Sequence, residues 1–115
     1  MGRLTTHVLD TAAGAPAAGL TVELFRLDSG ETRVAVARTN ADGRVDRPLL
    51  EGEALTAGTY ELRFHVGDYL RSRHDLPEPA FLDVVPIRFG IAAPHEHYHV
   101  PLLISPYGYS TYRGS

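Results

Sequence analysis

Residues 97–105 read His97-Tyr98-His99-Val100-Pro101-Leu102-Leu103-Ile104-Ser105, and their alternation decides the fold class. Successive side chains of an extended chain take opposite faces, so residues i and i+2 share one. The even positions, Tyr98, Val100, Leu102 and Ile104, are all apolar and form one inward row. The odd positions, His97, His99, Pro101, Leu103 and Ser105, then point outward. An outer face that mixes imidazole with aliphatic groups suits a subunit interface or a ligand channel better than open solvent.

The same period of two recurs along the chain. Tyr60, Leu62, Phe64 and Val66 alternate with Thr59, Glu61, Arg63 and His65. Val22 and Leu24 alternate with Thr21 and Glu23, and Val34 and Val36 with Arg33 and Ala35. Val85, Ile87, Phe89 and Ile91 make another inward row. Pro86 has no N–H for a ladder, which predicts an edge strand or a bulge there. Turn residues separate these runs at 13–16, 28–30, 40–43 and 57–58. Short strands at this spacing, with no long 3.6-residue period, predict an all-β antiparallel sandwich. A short helical turn is expected from Asp68 to His74, with Asp68 as its cap.

At 115 residues the chain is expected to form a single domain spanning 1–115. Its composition, 22% charged with a net charge of −3, gives no electrostatic reason for a nucleic-acid or anionic-membrane partner. There is no apolar run of about 18 residues, the length a membrane-spanning helix needs. Residues Met1 to Thr6 lack the apolar core of a secretory signal, so a cytoplasmic protein is expected. Zero cysteines exclude disulfides, thiolate zinc sites and a thiol nucleophile.

Three of the six histidines, His95, His97 and His99, stand at alternate positions. Such a row could hold a metal, run acid–base chemistry or be a solvated polar face. Same-face residues lie about 6.8 Å apart along a strand, which puts His95 and His99 roughly 13 Å apart at Cα. Zinc–nitrogen bonds are only about 2.0–2.1 Å, so two imidazoles of one His-x-His pair can converge but three cannot easily. A third ligand such as His7 would have to come from elsewhere, and no carboxylate stands at matching spacing. No metal and no cofactor are therefore expected. Pro94 places His95 in a turn, and His65, His74 and His95 read as surface residues.

Three stretches carry a resemblance: residues 2–20, GRLTTHVLDTAAGAPAAGL; residues 39–44, TNADGR; and residues 97–115, HYHVPLLISPYGYSTYRGS. Together they resemble the 5-hydroxyisourate hydrolases, the enzyme branch of the transthyretin-like family, over nearly the whole chain. The closing Tyr112-Arg113-Gly114-Ser115 is that branch's hallmark. The resemblance implies a transthyretin-like sandwich of two four-stranded sheets with one short helix, assembled as a homotetramer, a dimer of dimers around a central channel. It implies metal-free hydrolysis of 5-hydroxyisourate, opening the pyrimidine ring to give 2-oxo-4-hydroxy-4-carboxy-5-ureidoimidazoline. The family's catalytic positions fall on His7, Arg44, His99 and Ser115, with Tyr112 and Arg113 joining His7 and Arg44 in substrate binding.

The residue types suit that chemistry. Ring opening needs water attack on a carbonyl, and an imidazole with a pKa of about 6.5 can take the proton near neutrality. His99 is assigned that role, with His7 as its partner in positioning and proton transfer, and His97 in support. Arg44 offers a permanently charged fork for oxygens that gain negative charge. By itself Arg44 would read as an exposed arginine following the Asp42-Gly43 turn, and a tail ending in Gly-Ser would fray. The rival from another class is a small-aromatic-ligand carrier like transthyretin itself. That branch lacks the two histidines, the arginine and the closing Tyr-Arg-Gly-Ser.

Overall fold

The protein, a computed structural model that describes residues 1–114, is built from nine strands and one α-helix. The strands are β1 (Arg3–Asp10), β2 (Ala15–Pro16), β3 (Thr21–Arg26), β4 (Thr32–Arg38), β5 (Leu50–Glu51), β6 (Gly58–His65), β7 (Val84–Ile91), β8 (His97–Ser105) and β9 (Gly108–Thr111). Helix α1 (Val66–Arg73) follows β6 directly. One sheet runs β2-β1-β8-β9, with β5 pairing β1 beyond β2's register; the other runs β4-β3-β6-β7.

The inward rows meet between the sheets. Leu4 and Val8 of β1, Leu102 and Ile104 of β8, Val22 and Leu24 of β3, and Tyr60, Leu62 and Phe64 of β6 are fully buried. Each such side chain contributes about 1.5–3 kcal/mol relative to exposure. Pro86 lies on β7, an edge strand bonded to β6, as its missing N–H requires.

Three particulars differ from the sequence expectations. All pairings are antiparallel except β1 with β8, which is parallel in the register Arg3 to His97 through Asp10 to Ile104. Alternation fixes the face of a side chain but not the direction of its neighbour. With the whole second sheet lying between β1 and β8 in sequence, chain connectivity leaves that direction free. Second, Val34 and Val36 face outward, 38% and 54% exposed. Residues opposite one another in a ladder share a face, and buried Leu24 and Val22 sit across from Ala35 and Ala37. A bulge between Leu24 and Phe25 breaks the register beyond. Third, α1 starts at Val66, with His65 at the cap position and no side-chain cap bond; Asp68 lies in the first turn, where its charge favours the helix dipole.

His74 also departs from expectation, through its contact with Asp10. Asp10, at the end of β1, has no solvent exposure. Its carboxylate accepts hydrogen bonds from Tyr69 Oη and His74 Nε2, both at 2.9 Å, and from the backbone N–H groups of Ala12 and Ala13. His74 is thus a half-buried clamp tying the end of the helix to β1, and not a free surface residue. Burial works against the Asp10 charge, but the bonds from His74, Ala13 and Tyr69 outweigh it and hold the carboxyl below its ordinary pKa. The same burial and the neighbouring carboxylate push the Tyr69 phenol up to about 12.

Candidate active site

The parallel pairing of β1 with β8 builds the site's floor. Thr5 stands opposite His99, Arg3 opposite His97, and His7 opposite Pro101. Because Leu4, Thr6, Val8 and Asp10 take the inner face, Arg3, Thr5 and His7 share the outer one with His97 and His99.

The turn 40–44 delivers Arg44 to this face. Asn40 Oδ1 accepts from the backbone N–H of Asp42 and of Arg44, at 2.9 and 3.1 Å. Gly43 has φ +75°, and a Cβ there would lie 2.3 Å from the carbonyl oxygen of Val8. The Gly43 carbonyl accepts from Val8 N at 2.8 Å, and His7 and Arg44 form an antiparallel bridge. Only glycine permits this approach of turn to strand. His7 Nε2 lies 2.9 Å from the Asp42 carbonyl, which can only accept, so that nitrogen carries a hydrogen and donates it there.

Arg3, Thr5, Arg44, Val45, His97 and His99 line one cleft of about 380 Å³. Among the described residues the Arg44 guanidinium has no ion-pair or hydrogen-bond partner, and neither does His99 Nε2. His99 Nδ1 and His97 Nε2 instead meet at one hydroxyl, Thr5 Oγ1, at 2.8 and 2.7 Å. Burial first, and then the positive charge of Arg44 with His97 and His7 nearby, holds the His99 imidazole below its ordinary pKa. Burial, Arg3 and Arg113 do the same for His97. Both rings are therefore neutral near neutral pH. Among the described residues no three His, Asp or Glu side chains cluster as a metal site would need.

The C-terminal tail folds back onto His99. Gly114 N donates to the His99 carbonyl at 2.8 Å, and a Cβ on Gly114 would fall 2.6 Å from His99 Cδ2. Arg113 lies over the Tyr98 ring, 4.1 Å from its centre, and donates to Glu96 Oε1 at 2.9 Å. Tyr112 and Arg113 line a separate apolar cavity of about 270 Å³ beside Ile87, Phe89 and Tyr98. Ser115 lies outside the described residues.

Of the candidate residues, then, His99 and Arg44 share the cleft, and His7 is bridged to Arg44 at its rim. Tyr112 and Arg113 lie on the tail that backs His99, away from the cleft's lining. Thr5 is the residue that sequence reasoning passed over. Its parity with His7 was readable, but its place beside His99 depends on a pairing the sequence does not encode locally.

Residues 4–114 match the model of the HIUase/Transthyretin family. A 5-hydroxyisourate hydrolase of Rhizobium meliloti is 64% identical over 117 residues, covering 99% of this chain and 97% of that protein. The crystal structure of an (S)-allantoin synthase superposes with a TM-score of 0.94 at 46% identity; the match takes in 99% of this chain but 44% of that one. The Klebsiella pneumoniae 5-hydroxyisourate hydrolase gives a TM-score of 0.82 at 37% identity, with both chains fully covered.

Proposed function

This chain belongs to the HIUase/Transthyretin family, and from that premise we propose that it is an enzyme, a 5-hydroxyisourate hydrolase acting in urate breakdown. The family description embraces hydrolases and transthyretins alike, so membership leaves an enzyme and a carrier both open. The 64% identity to a hydrolase favours the enzyme. The observation that carries the reading is chemical: the His99 imidazole, whose Nε2 has no partner among the described residues, shares one cleft with the Arg44 guanidinium, which has none among them either. A carrier of apolar aromatics has no use for that pair.

In this reading His99 Nε2 takes a proton from water as the oxygen attacks a ring carbonyl. Arg44 donates to the oxygen that gains negative charge, where a preformed cation is worth several kcal/mol in a desolvated site. The carbon–nitrogen bond then breaks, and the ring nitrogen receives the proton that His99 took. His7, held by its Nε2 hydrogen bond to the Asp42 carbonyl, partners His99 in positioning the substrate and in proton transfer. Ser115, covalently next to Gly114, supplies a hydroxyl, and Tyr112 and Arg113 hold the tail up to Gly114. No step calls for a metal or cofactor.

The reading includes a homotetramer made as a dimer of dimers. Edge strands β7 and β9 flank the apolar cavity formed by Ile87, Phe89 and Tyr112, and a second copy could cover both edges at once. It also includes a cytoplasmic location. No helix among the described residues is long and apolar enough to cross a membrane.

The test is direct. Purified protein mixed with freshly oxidised urate accelerates the decay of the ultraviolet-absorbing intermediate; decay no faster than in buffer would refute the reading.

A further inference from the structure

Thr5 has no part in the scheme above, yet its hydroxyl touches both cleft histidines, 2.7 Å from His97 Nε2 and 2.8 Å from His99 Nδ1. We propose that Thr5 is a positioning residue that couples the two imidazoles, fixing His99 with a bare Nε2 and giving its proton a path to His97. The inference rests on the hydrolase reading and deepens it.

A threonine hydroxyl has one proton to donate and lone pairs to accept. With both contacts made, it donates to one ring nitrogen and accepts an N–H from the other ring. Two arrangements satisfy this. In the first, His99 Nδ1–H donates to Thr5, Thr5 donates to His97 Nε2, and His97 keeps its own proton on Nδ1. In the second, every proton runs the other way, and the His99 proton sits on Nε2. A base that attacks through Nε2 needs the first arrangement. The hydroxyl therefore makes the His99 tautomer depend on His97, a ring in the same cleft that does not itself meet the attacking water.

The coupling also moves charge. When water's proton arrives at His99 Nε2, the Nδ1 proton passes to Thr5 Oγ1 while Thr5's own proton passes to His97 Nε2. Two protons shift, no heavy-atom bond changes, and the positive charge goes from His99 to His97. His99 is faced by Arg44 from the turn and by His7 from β1. His97 is faced by Arg3 from β1 and by Arg113 from the tail, and Arg113 is already paired with Glu96. Of His97's two cationic neighbours, Arg113, the weaker, is thus partly neutralised by a carboxylate. The protons return by the same path as the Nε2 proton leaves for the departing ring nitrogen, which restores the starting tautomers.

The experiment compares the intact wild-type protein with Thr5→Val and Thr5→Ser. Nitrogen-15 imidazole spectra read the tautomers without substrate, and steady-state kinetics on freshly oxidised urate read the consequence. In the wild type, His99 and His97 each carry their proton on Nδ1 and leave Nε2 bare. In Thr5→Val, a near-isostere without the hydroxyl, His99 becomes a tautomer mixture and kcat falls roughly tenfold or more, with KM little changed. Thr5→Ser keeps the hydroxyl and recovers most of both. A Val variant with unchanged tautomer and kcat, or a Ser variant as impaired as the Val one, would overturn the proposal. A wild type inert toward 5-hydroxyisourate would instead refute the hydrolase reading, while the spectra still judge the coupling.

Discussion

The backbone N–H of Gly114 donates to the carbonyl oxygen of His99 at 2.8 Å, which sets the last described residue flat against the imidazole in the cleft. A tail that would otherwise fray is fixed by this bond, by Arg113 on the Tyr98 ring and by the Arg113–Glu96 pair. The tail and His99 are thus one structural unit.

That unit makes Gly114 a sensitive position. A methyl at Gly114 would fall 2.6 Å from His99 Cδ2, so either the ring or the tail must move. Gly114→Ala is expected to cut kcat/KM by roughly a hundredfold, the scale of a misplaced catalytic group. Its unfolding midpoint should stay within about 2 °C of wild type, since nothing in the core is touched. Paired activity and thermal-melt measurements check this, and full activity would mean the tail's contact with His99 does not matter.

The pH dependence follows from the sign of the His99 shift. Burial, and then Arg44, His97 and His7, lower the pKa, so the neutral base persists below the ordinary imidazole value of about 6.5. As pH falls through the lowered value, His99 protonates and kcat/KM should drop with unit slope. Arg44→Gln removes a neighbouring cation and should move that acid limb to higher pH, besides lowering the rate. A limb above about pH 6.5 in the wild type would contradict the assignment.

Stability has its own anchor away from the cleft. Asp10→Ala would strand Tyr69 Oη and the N–H groups of Ala12 and Ala13, and untie His74. Breaking such a buried charged network costs about 3–5 kcal/mol, measurable by urea denaturation at neutral pH. The Asp10 pKa is lowered in the folded protein, so its stabilisation is present above the unfolded carboxylate value of about 3.9. It is lost as pH falls through the folded value, and the wild-type and variant curves should converge in acid. An equal gap at acid pH would exclude the carboxylate as its source.

Much of the sandwich was legible in the chain because alternation is a local signal. The rows at 60–64, 85–91 and 98–104, the edge position implied by Pro86 and the turn at 40–43 all occur where the pattern put them. What alternation does not carry is strand pairing. The parallel register of β1 with β8, the outward turn of Val34 and Val36, and the meeting of Thr5 with His99 each depend on partners distant in sequence. The His74–Asp10 clamp was hidden for the same reason, since 64 residues separate the two. Arg44 and His99 were named from the family resemblance; their common cleft depends on Gly43, whose positive φ brings the turn onto β1.

The central claim is that the cleft between His99 and Arg44 carries out hydrolysis. Its most direct measurement is kcat/KM for 5-hydroxyisourate in the wild type and in His99→Gln, both checked to have the same assembly state. The account predicts a wild-type rate far above buffer and a loss of roughly a hundred- to ten-thousandfold in the variant, the range for removing a general base. A His99→Gln protein that turns over substrate within about threefold of wild type would contradict it.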